Sequence, residues 1–410
     1  MTTATTAGNA AFQSAAFRRF QVVRLLGILG LQMQGVAVGW QVYALTGRPL
    51  DLGMVGLVQF IPAMLLWPLT GSVVDRVDRR IVVMGTLLGF AVTAGLLATF
   101  ATVGVTSLWP IYGTLVLLAI ARSFSAPAHQ ALLPQLVPRE HFPNAVTWSS
   151  SLFQVGAIAG PALGGAVYAI TGGARGVYLC AMVLVLAAAA TLTTVRPREA
   201  VLSRERPSWS QLFEGVRYIR ERPLILGAIS LDLFAVLLGG AVALLPIFAR
   251  DILAVGPAGL GILRAAPAVG AATMAMFLAF NPIRGGAGKK LFVAVAVFGL
   301  ATLVFGASTS FWLSAVALAV VGASDEMSVV IRQTIVQIAT PDDKRGRVSA
   351  VNFLFIGVSN EIGELESGVT AHWLGARRAA MLGGCGTLLV VAFASWFSPS
   401  LRKVDRLEDV

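Results

Sequence analysis

Charged residues are scarce in this sequence. Asp, Glu, Lys and Arg make up 12% of the 410 residues, whereas 56% are hydrophobic and the mean hydropathy is +0.79. A soluble domain usually carries about a quarter charged residues. The composition therefore excludes a soluble globular protein of this length and indicates a chain that crosses a membrane several times.

Cysteine and histidine are also rare. The two cysteines, Cys180 and Cys385, lie in apolar segments and offer no disulfide framework. The three histidines show no metal-ligand spacing, so we expect neither a metal nor a cofactor. Residues 1–17 lack the basic start and the cleavage site of a signal peptide, and we expect the first apolar segment to be retained and to start from the cytosol.

Apolar segments of about 20 residues, the length that crosses a bilayer as a helix, recur along the whole chain. Rich in Ala, Gly and Leu, they lack the alternation of barrel strands. The sequence thus predicts an all-α membrane protein with twelve spans. They are 20–44, 52–74, 81–103, 108–126, 145–170, 175–195, 224–248, 257–280, 290–308, 311–333, 349–371 and 377–397.

The basic residues fix the orientation of these predicted spans. Alternating the loops, with the span ends next to them, places 25 of the 31 Lys and Arg residues on one side and five on the other, and leaves Arg264 deep inside a span. Loops rich in Lys and Arg stay in the cytoplasm. We therefore expect the N and C termini to be cytoplasmic.

The two halves of the chain resemble each other. The segment 56–62 matches 261–267 at an offset of 205 residues, and Ala145-Val146 matches Ala350-Val351 at the same offset. Two six-helix repeats place a transport site at their interface. The predicted parts are an N-terminal tail (1–19), a first bundle (20–195), a cytoplasmic linker with an amphipathic helix (196–223), a second bundle (224–397) and a C-terminal tail (398–410).

A charged run follows the second predicted span. Its pattern, Gly-x3-Asp-Arg-x2-Arg-Arg, resembles the signature loop of the major facilitator superfamily, although Asp78 stands where that family usually has glycine. The resemblance implies a gating loop whose aspartate caps a neighbouring helix and whose arginines pair with acidic groups. In the second half, the corresponding loop at 280–284 is degenerate. The gating-loop residues are Gly71, Asp75, Arg76, Arg79 and Arg80.

A run of small residues lies in the fifth predicted span, at Gly156, Gly160, Pro161, Gly164 and Gly165. Such spacing lets helix backbones approach closely, and plain packing is one explanation. The run also resembles the antiporter motif of facilitator exporters, with Thr147 replacing an earlier glycine, which implies export. The segments 38–43, 160–165, 341–348 and 359–364 resemble the exporter branch that handles siderophores and macrolides.

Ionisable residues inside predicted spans are costly, and they are therefore candidates for proton or substrate binding. Structural ion pairs between helices are the alternative. We expect Asp232, Glu361 and Glu364 to matter most. The full set of candidates is Asp232, Asp325, Glu326, Glu361 and Glu364, with Arg122 and Arg332 as cationic partners.

The family resemblance also implies a central cavity lined by the first, fourth, seventh and tenth helices. Besides Arg122, Asp232 and Glu326, it nominates Gln32, Gln34, Trp40, Gln41 and Phe234 as cavity residues.

A glycine-rich stretch, residues 285–290, resembles a phosphate-binding loop only superficially. No Ser or Thr follows its lysine, and a predicted membrane helix rather than a strand precedes it. ATP coupling is therefore not supported.

The sequence and its resemblance together predict a secondary active transporter of the bacterial inner membrane. We expect it to work as a monomer in the lipid bilayer, without nucleic acid, and to export a small amphipathic molecule by alternating access with proton antiport. The first expected cargo is a siderophore of the enterobactin type, and macrolide or multidrug efflux is the alternative. An integral-membrane enzyme would need a reactive cluster that three scattered histidines do not provide, and a transport-inactive sensor would be expected to carry an added soluble domain.

Overall fold

Long helices make up the computed structural model, which describes residues 10–197, 209–283 and 285–405. Six of the helices precede the linker. They are α1 (Ala15–Thr46), α2 (Pro49–Arg76), α3 (Arg79–Val103), α4 (Trp109–Leu132), α5 (Phe142–Thr171) and α6 (Ala174–Thr193). The described part of the linker holds the short α7 (Trp209–Arg220). The rest are α8 (Pro223–Gly239), α9 (Gly256–Phe280), α10 (Ala287–Ala307), α11 (Phe311–Ile338), α12 (Asp342–Leu374), α13 (Ala376–Phe397) and the one-turn α14 (Pro399–Arg402).

Eleven helical segments among the described residues are long and apolar enough to cross a membrane, and together they include every long helix except α12. The 33 residues of α12 would extend about 50 Å at 1.5 Å per residue. Its charged residues, among them Lys344, Arg347, Glu361 and Glu364, lower its hydropathy. The all-helical prediction is confirmed, and the twelfth span stays a prediction.

The start and end of α3 have simple local causes. Asp78 adopts a non-helical conformation, and its Oδ1 accepts a hydrogen bond of 2.8 Å from the backbone N–H of Arg80. This contact satisfies one of the free donors at the helix start. Gly104 ends the helix with φ 73°, a left-handed conformation that glycine adopts without strain.

The seventh predicted span is not one continuous helix. The sequence predicts it over 224–248, but α8 ends at Gly239 and short helical turns carry the chain from Ala241 to Ile252. Pro246 lacks a backbone donor, and Gly240 lies against α12, where an added Cβ would come within 3.0 Å of the Gly363 carbonyl oxygen. The break coincides with a close helix contact that glycine permits, and Pro246 removes one donor from the short turns that follow.

The chain forms two compact units. The first runs to Gln41 and resumes from Ile61 to the first part of the linker; the second comprises Val42–Phe60 and the chain from α7 onwards. In the first unit, α3 packs against α4 and α6. In the second, α9 packs against α11, and α10 lies between α11 and α13, while α8 contacts α12 and α13.

The second unit has a core cluster of ten buried residues where α8, α10 and α11 meet. Leu231 of α8 and Ile331 of α11 belong to it, and both directly precede a charged residue in the chain. The apolar core therefore lies beside the charged groups described next. Its members are Ala228, Leu231, Ala235, Ala287, Leu291, Phe292, Val295, Ile331, Ile335 and Leu401.

Candidate functional site

A buried ion pair joins α8 to α11. Asp232 Oδ2 lies 3.0 Å from Arg332 Nη2, and the two side chains are 7% and 2% exposed, respectively. Arg332 Nη1 also donates a 3.1 Å hydrogen bond to Asn352 Oδ1 of α12. Arg332 thus links three helices of the second unit through one guanidinium group.

A second carboxylate lies on the same helix face as Arg332. Asp325, Ser328 and Arg332 are spaced i, i+3 and i+7 on α11, which places them in one row. The charged groups that act electrostatically on Asp325 are Arg332, Asp232 and Glu326. Within the described part of the chain, Asp325 makes no hydrogen bond or ion pair, and the buried Ser328 Oγ and Arg332 Nε have no hydrogen-bond partner. Arg332 therefore pairs with one carboxylate, Asp232, and acts electrostatically on a second, Asp325.

These groups border a cavity of about 190 Å³ inside the second unit. Such a mixture of an apolar wall and a few convergent polar groups is typical of small-molecule sites. The charged residues lining it are Asp232, Asp325, Arg332 and Glu364. Thr302, Ser359 and Asn360 add neutral polar groups, and Phe298, Phe305, Leu318 and Ile356 are among the apolar residues.

The remaining candidates of the second unit differ in their positions relative to this cavity. Glu364 borders the cavity and also packs against α2, because a Cβ on Gly56 would lie 2.8 Å from Glu364 Oε2. Glu361 and Glu326 are half-buried and do not line this cavity, and Phe234 is 47% exposed.

The cavity candidates in α1 pack within the first unit. Tyr178 OH donates a 2.7 Å hydrogen bond to Gln41 Oε1, and the ring of Trp40 lies edge-on to Tyr168 with centroids 6.1 Å apart. Gln34 is buried, and its Nε2 has no partner among the described residues. Gln32 and Arg122 are half-buried and exposed, respectively.

The glycine run of α5 lies tightly against α1. A Cβ on Gly156 would come within 2.5 Å of the Ile28 side chain, one on Gly160 within 2.5 Å of Gln32 Cβ, and one on Gly164 within 2.9 Å of Met33 Cα. Gly165 and Pro161 are buried in the same helix. Close backbone packing therefore accounts for the spacing, and the link to antiport stays a prediction.

In the charged loop between α2 and α3, a residue outside the predicted gating set caps a helix. Asp78, which departs from the family pattern, caps its own helix α3. Arg80 Nη2 donates a hydrogen bond to the Thr193 carbonyl oxygen at the end of α6. Arg79 is half-buried, and its Nε lacks a partner among the described residues. Gly71 lies in the last turns of α2, and the latch role of Asp75 and Arg76 stays a prediction.

Sequence reasoning missed Asn352 and Ser328, and it named Arg332 as a cationic partner without assigning it to Asp232. The row Asp325–Ser328–Arg332 was visible as a helical repeat, and it was the signal that could have placed these side chains together. Asn352 follows a charged stretch and gave no such signal.

Comparisons with known proteins identify the family of the chain. Residues 6–409 match the family model described as transmembrane secretion effector. Relatives include an uncharacterised facilitator-type transporter of Bacillus subtilis (26% identical, 85% of this chain and 84% of that protein) and macrolide efflux protein A of Streptococcus pyogenes (24%, 94% and 95%). The enterobactin exporter of Escherichia coli is 29% identical, over 93% of this chain and 88% of that protein.

Solved structures share the fold at low identity. The nucleoside transporter NupG, as its D323A mutant, aligns with a TM-score of 0.74 at 13% identity over 93% of this chain and 99% of its own. A bacterial homologue of the iron transporter ferroportin aligns with 0.68 at 16% identity, over 95% and 98%. The chain therefore belongs to the transmembrane secretion effector family of the major facilitator superfamily, and it is a multi-pass membrane transporter rather than an enzyme.

Proposed function

We propose that this transporter exports a small amphipathic molecule across the bacterial inner membrane by alternating access, and that proton entry drives export. The observation that carries the proposal is the shared guanidinium: Arg332 pairs with Asp232 while Asp325 lies on the same helix face without a partner among the described residues. No cofactor takes part in this scheme.

The coupling follows from the cost of burying charge. A buried carboxylate is stable when it is paired with a cation or protonated, and Arg332 cannot fully neutralise two carboxylates at once. The second carboxylate then takes a proton or a cationic group of the cargo. If the two bind at the same place, one displaces the other, which is what an antiporter requires.

The membrane topology of the proposal includes α12 as the twelfth span, because its length suffices and its Glu364 borders the cavity inside the second unit. The excess of basic residues in one set of loops supports a cytoplasmic location for both termini. We propose that the transporter works as a monomer.

Two cargo classes remain in the proposal. The resemblance to siderophore exporters supports an enterobactin-type catecholate. The described cavity favours a macrolide-type amine, because its lining carboxylates, Asp232, Asp325 and Glu364, outnumber its single arginine, Arg332. Charge complementarity thus supports the drug alternative for this site.

The test is cargo-driven proton movement in proteoliposomes that contain the full chain. Asp325→Asn and Asp232→Asn are compared with Glu140→Gln, an exposed carboxylate outside every long helix. We expect a cargo from one class to drive proton flux that both Asn variants reduce at least tenfold, while Glu140→Gln behaves like the parent. Cargo transport that persists in both Asn variants and ignores the pH gradient would refute the proton mechanism.

A further inference from the structure

The glycine-rich stretch that resembled a phosphate-binding loop holds the C-terminal tail of the chain. Three successive backbone N–H groups at the start of α10 donate to this tail. Gly286 N lies 2.8 Å from Asp405 Oδ1, Ala287 N lies 3.0 Å from the Asp405 carbonyl oxygen, and Gly288 N lies 3.0 Å from the Val404 carbonyl oxygen. The tail therefore satisfies donors that a helix start leaves free.

The loop is shaped to receive this segment. Gly286 is the N-cap residue of α10 with φ 64°, a left-handed conformation, and it has no side chain with which to cap the helix itself. A Cβ on Gly288 would lie 2.0 Å from the Leu401 carbonyl oxygen, which belongs to backbone and cannot move aside alone. Glycine at 288 is thus a condition for docking the tail.

The tail is also anchored by its apolar side chain. Leu401 is fully buried in the core cluster, where it meets residues of α8, α10 and α11. Leu231 and Ile331 in that cluster directly precede Asp232 and Arg332. Docking of the tail therefore contributes to the packing that sets the separation of the two helices in the ion pair.

The two halves supply the capping carboxylate for α3 and α10 from different parts of the chain. In the first half, Asp78 in the loop before α3 caps that helix through a 2.8 Å hydrogen bond. The second-half loop has no carboxylate between Asn281 and Gly286. Asp405, 119 residues further along the chain than Gly286, supplies the carboxylate there.

We propose that Asp405 is a positioning residue. Residues 399–405 act as the capping loop that the second half lacks. They hold α10 against α8 and α11 and so maintain the 3.0 Å ion pair between Asp232 and Arg332. The role in transport rests on the proposed function. Asp405 acts through the helices and does not touch the cavity residues.

The first experiment compares Asp405→Ala with Lys403→Ala, an exposed tail residue, in full-length protein in proteoliposomes. We expect Asp405→Ala to lower the maximal transport rate about fivefold, equivalent to about 1 kcal/mol for a lost cap, at an unchanged half-saturating cargo concentration. Its pH midpoint should shift by about half a unit because the ion pair relaxes. Lys403→Ala should match the parent.

Two further variants separate the cap from the charge and from folding. Asp405→Asn keeps an acceptor oxygen and should restore most of the rate, since Asn caps a helix about as well as Asp. Gly288→Ala should reproduce Asp405→Ala by displacing the tail, and the double variant should be no worse than either. If Asp405→Ala fails to fold in detergent, these two variants carry the same test.

A parent-like rate and pH profile in Asp405→Ala would overturn the proposal, and so would reduced thermal stability with an unchanged pH profile. If the proposed function is wrong, the parent itself moves no protons, and a readout independent of transport is then needed. In that case the losses of unfolding stability in Asp405→Ala and Arg332→Met should still be non-additive, and additive losses would overturn the positioning role.

Discussion

Removing Arg332 should destabilise this transporter far more than neutralising its partner. The pair is 3.0 Å long with side chains 7% and 2% exposed, so water cannot compensate a lost charge. Breaking such a buried pair by deleting one member costs about 3–5 kcal/mol. Arg332→Met leaves both Asp232 and Asp325 without a nearby guanidinium, and we expect a loss of about 4 kcal/mol.

Asp232→Asn is a milder change. The amide oxygen of asparagine still accepts a hydrogen bond from Arg332, and the guanidinium remains available to Asp325 on its own helix. We expect a loss of about 1–2 kcal/mol, the difference between a charge-assisted and a neutral hydrogen bond. The double variant Asp232→Leu with Arg332→Met should recover part of the loss of Arg332→Met, and adding Asp325→Asn should recover most of the remainder.

Thermal unfolding of purified protein in detergent, followed by tryptophan fluorescence, measures this order. At about 2 °C per kcal/mol for a chain of this size, Arg332→Met should lower the Tm by about 8 °C and Asp232→Asn by about 3 °C. Arg378→Met, an exposed arginine at the start of α13, is the control and should change it little. Equal losses in Arg332→Met and Asp232→Asn would refute the shared guanidinium, and a double variant without recovery would show that the two side chains are not coupled.

Two further predictions concern the first unit. Gly164→Ala should destabilise the protein by about 1–3 kcal/mol, because its Cβ would lie 2.9 Å from Met33 Cα. The control is Gly113→Ala, whose Cβ would meet nothing within 4 Å and which should be neutral or slightly stabilising. Equal unfolding temperatures of the two variants would contradict the close packing of α5 on α1. Asp78→Ala should lower the free energy of unfolding by about 1 kcal/mol, because the hydrogen bond from Arg80 N is lost. Asp78→Asn keeps an acceptor oxygen and should be close to the parent. An Asn variant as unstable as the Ala variant would mean that the charge matters rather than the hydrogen bond.

The helices and the ionisable candidates were predictable because each rests on a local signal. A run of apolar residues specifies a helix wherever it lies, and a lone charge in such a run is conspicuous, as Asp232 and Arg332 were. The choice of partner was not predictable. The predicted spans contain several carboxylates and few arginines, so the sequence does not show which carboxylate pairs with which arginine. The rotation of α8 against α11 that brings Asp232 to Arg332 depends on the packing of Leu231, Ile331 and their neighbours.

The break after α8 was missed for a related reason. The run 224–248 is uniformly apolar, and apolarity does not distinguish one helix from a helix followed by short turns. Gly239, Gly240 and Pro246 are weak breakers in a membrane segment, where glycine and proline are common. Close contact between Gly240 and the Gly363 carbonyl, a tertiary feature, accompanies the break.

The tail shows that the two halves share a helix-capping contact although their loop sequences differ. Compared by sequence, the loop before α10 is a degenerate copy of the loop before α3, since it carries no aspartate. Compared by hydrogen bonds, both helices begin with a carboxylate oxygen 2.8 Å from a backbone N–H, from Asp78 in one case and Asp405 in the other. The difference lies in when each cap forms. The α3 cap is made with its helix, but α10 keeps free donors until residue 405 has been synthesised, so completion of the second half depends on residues far along the chain.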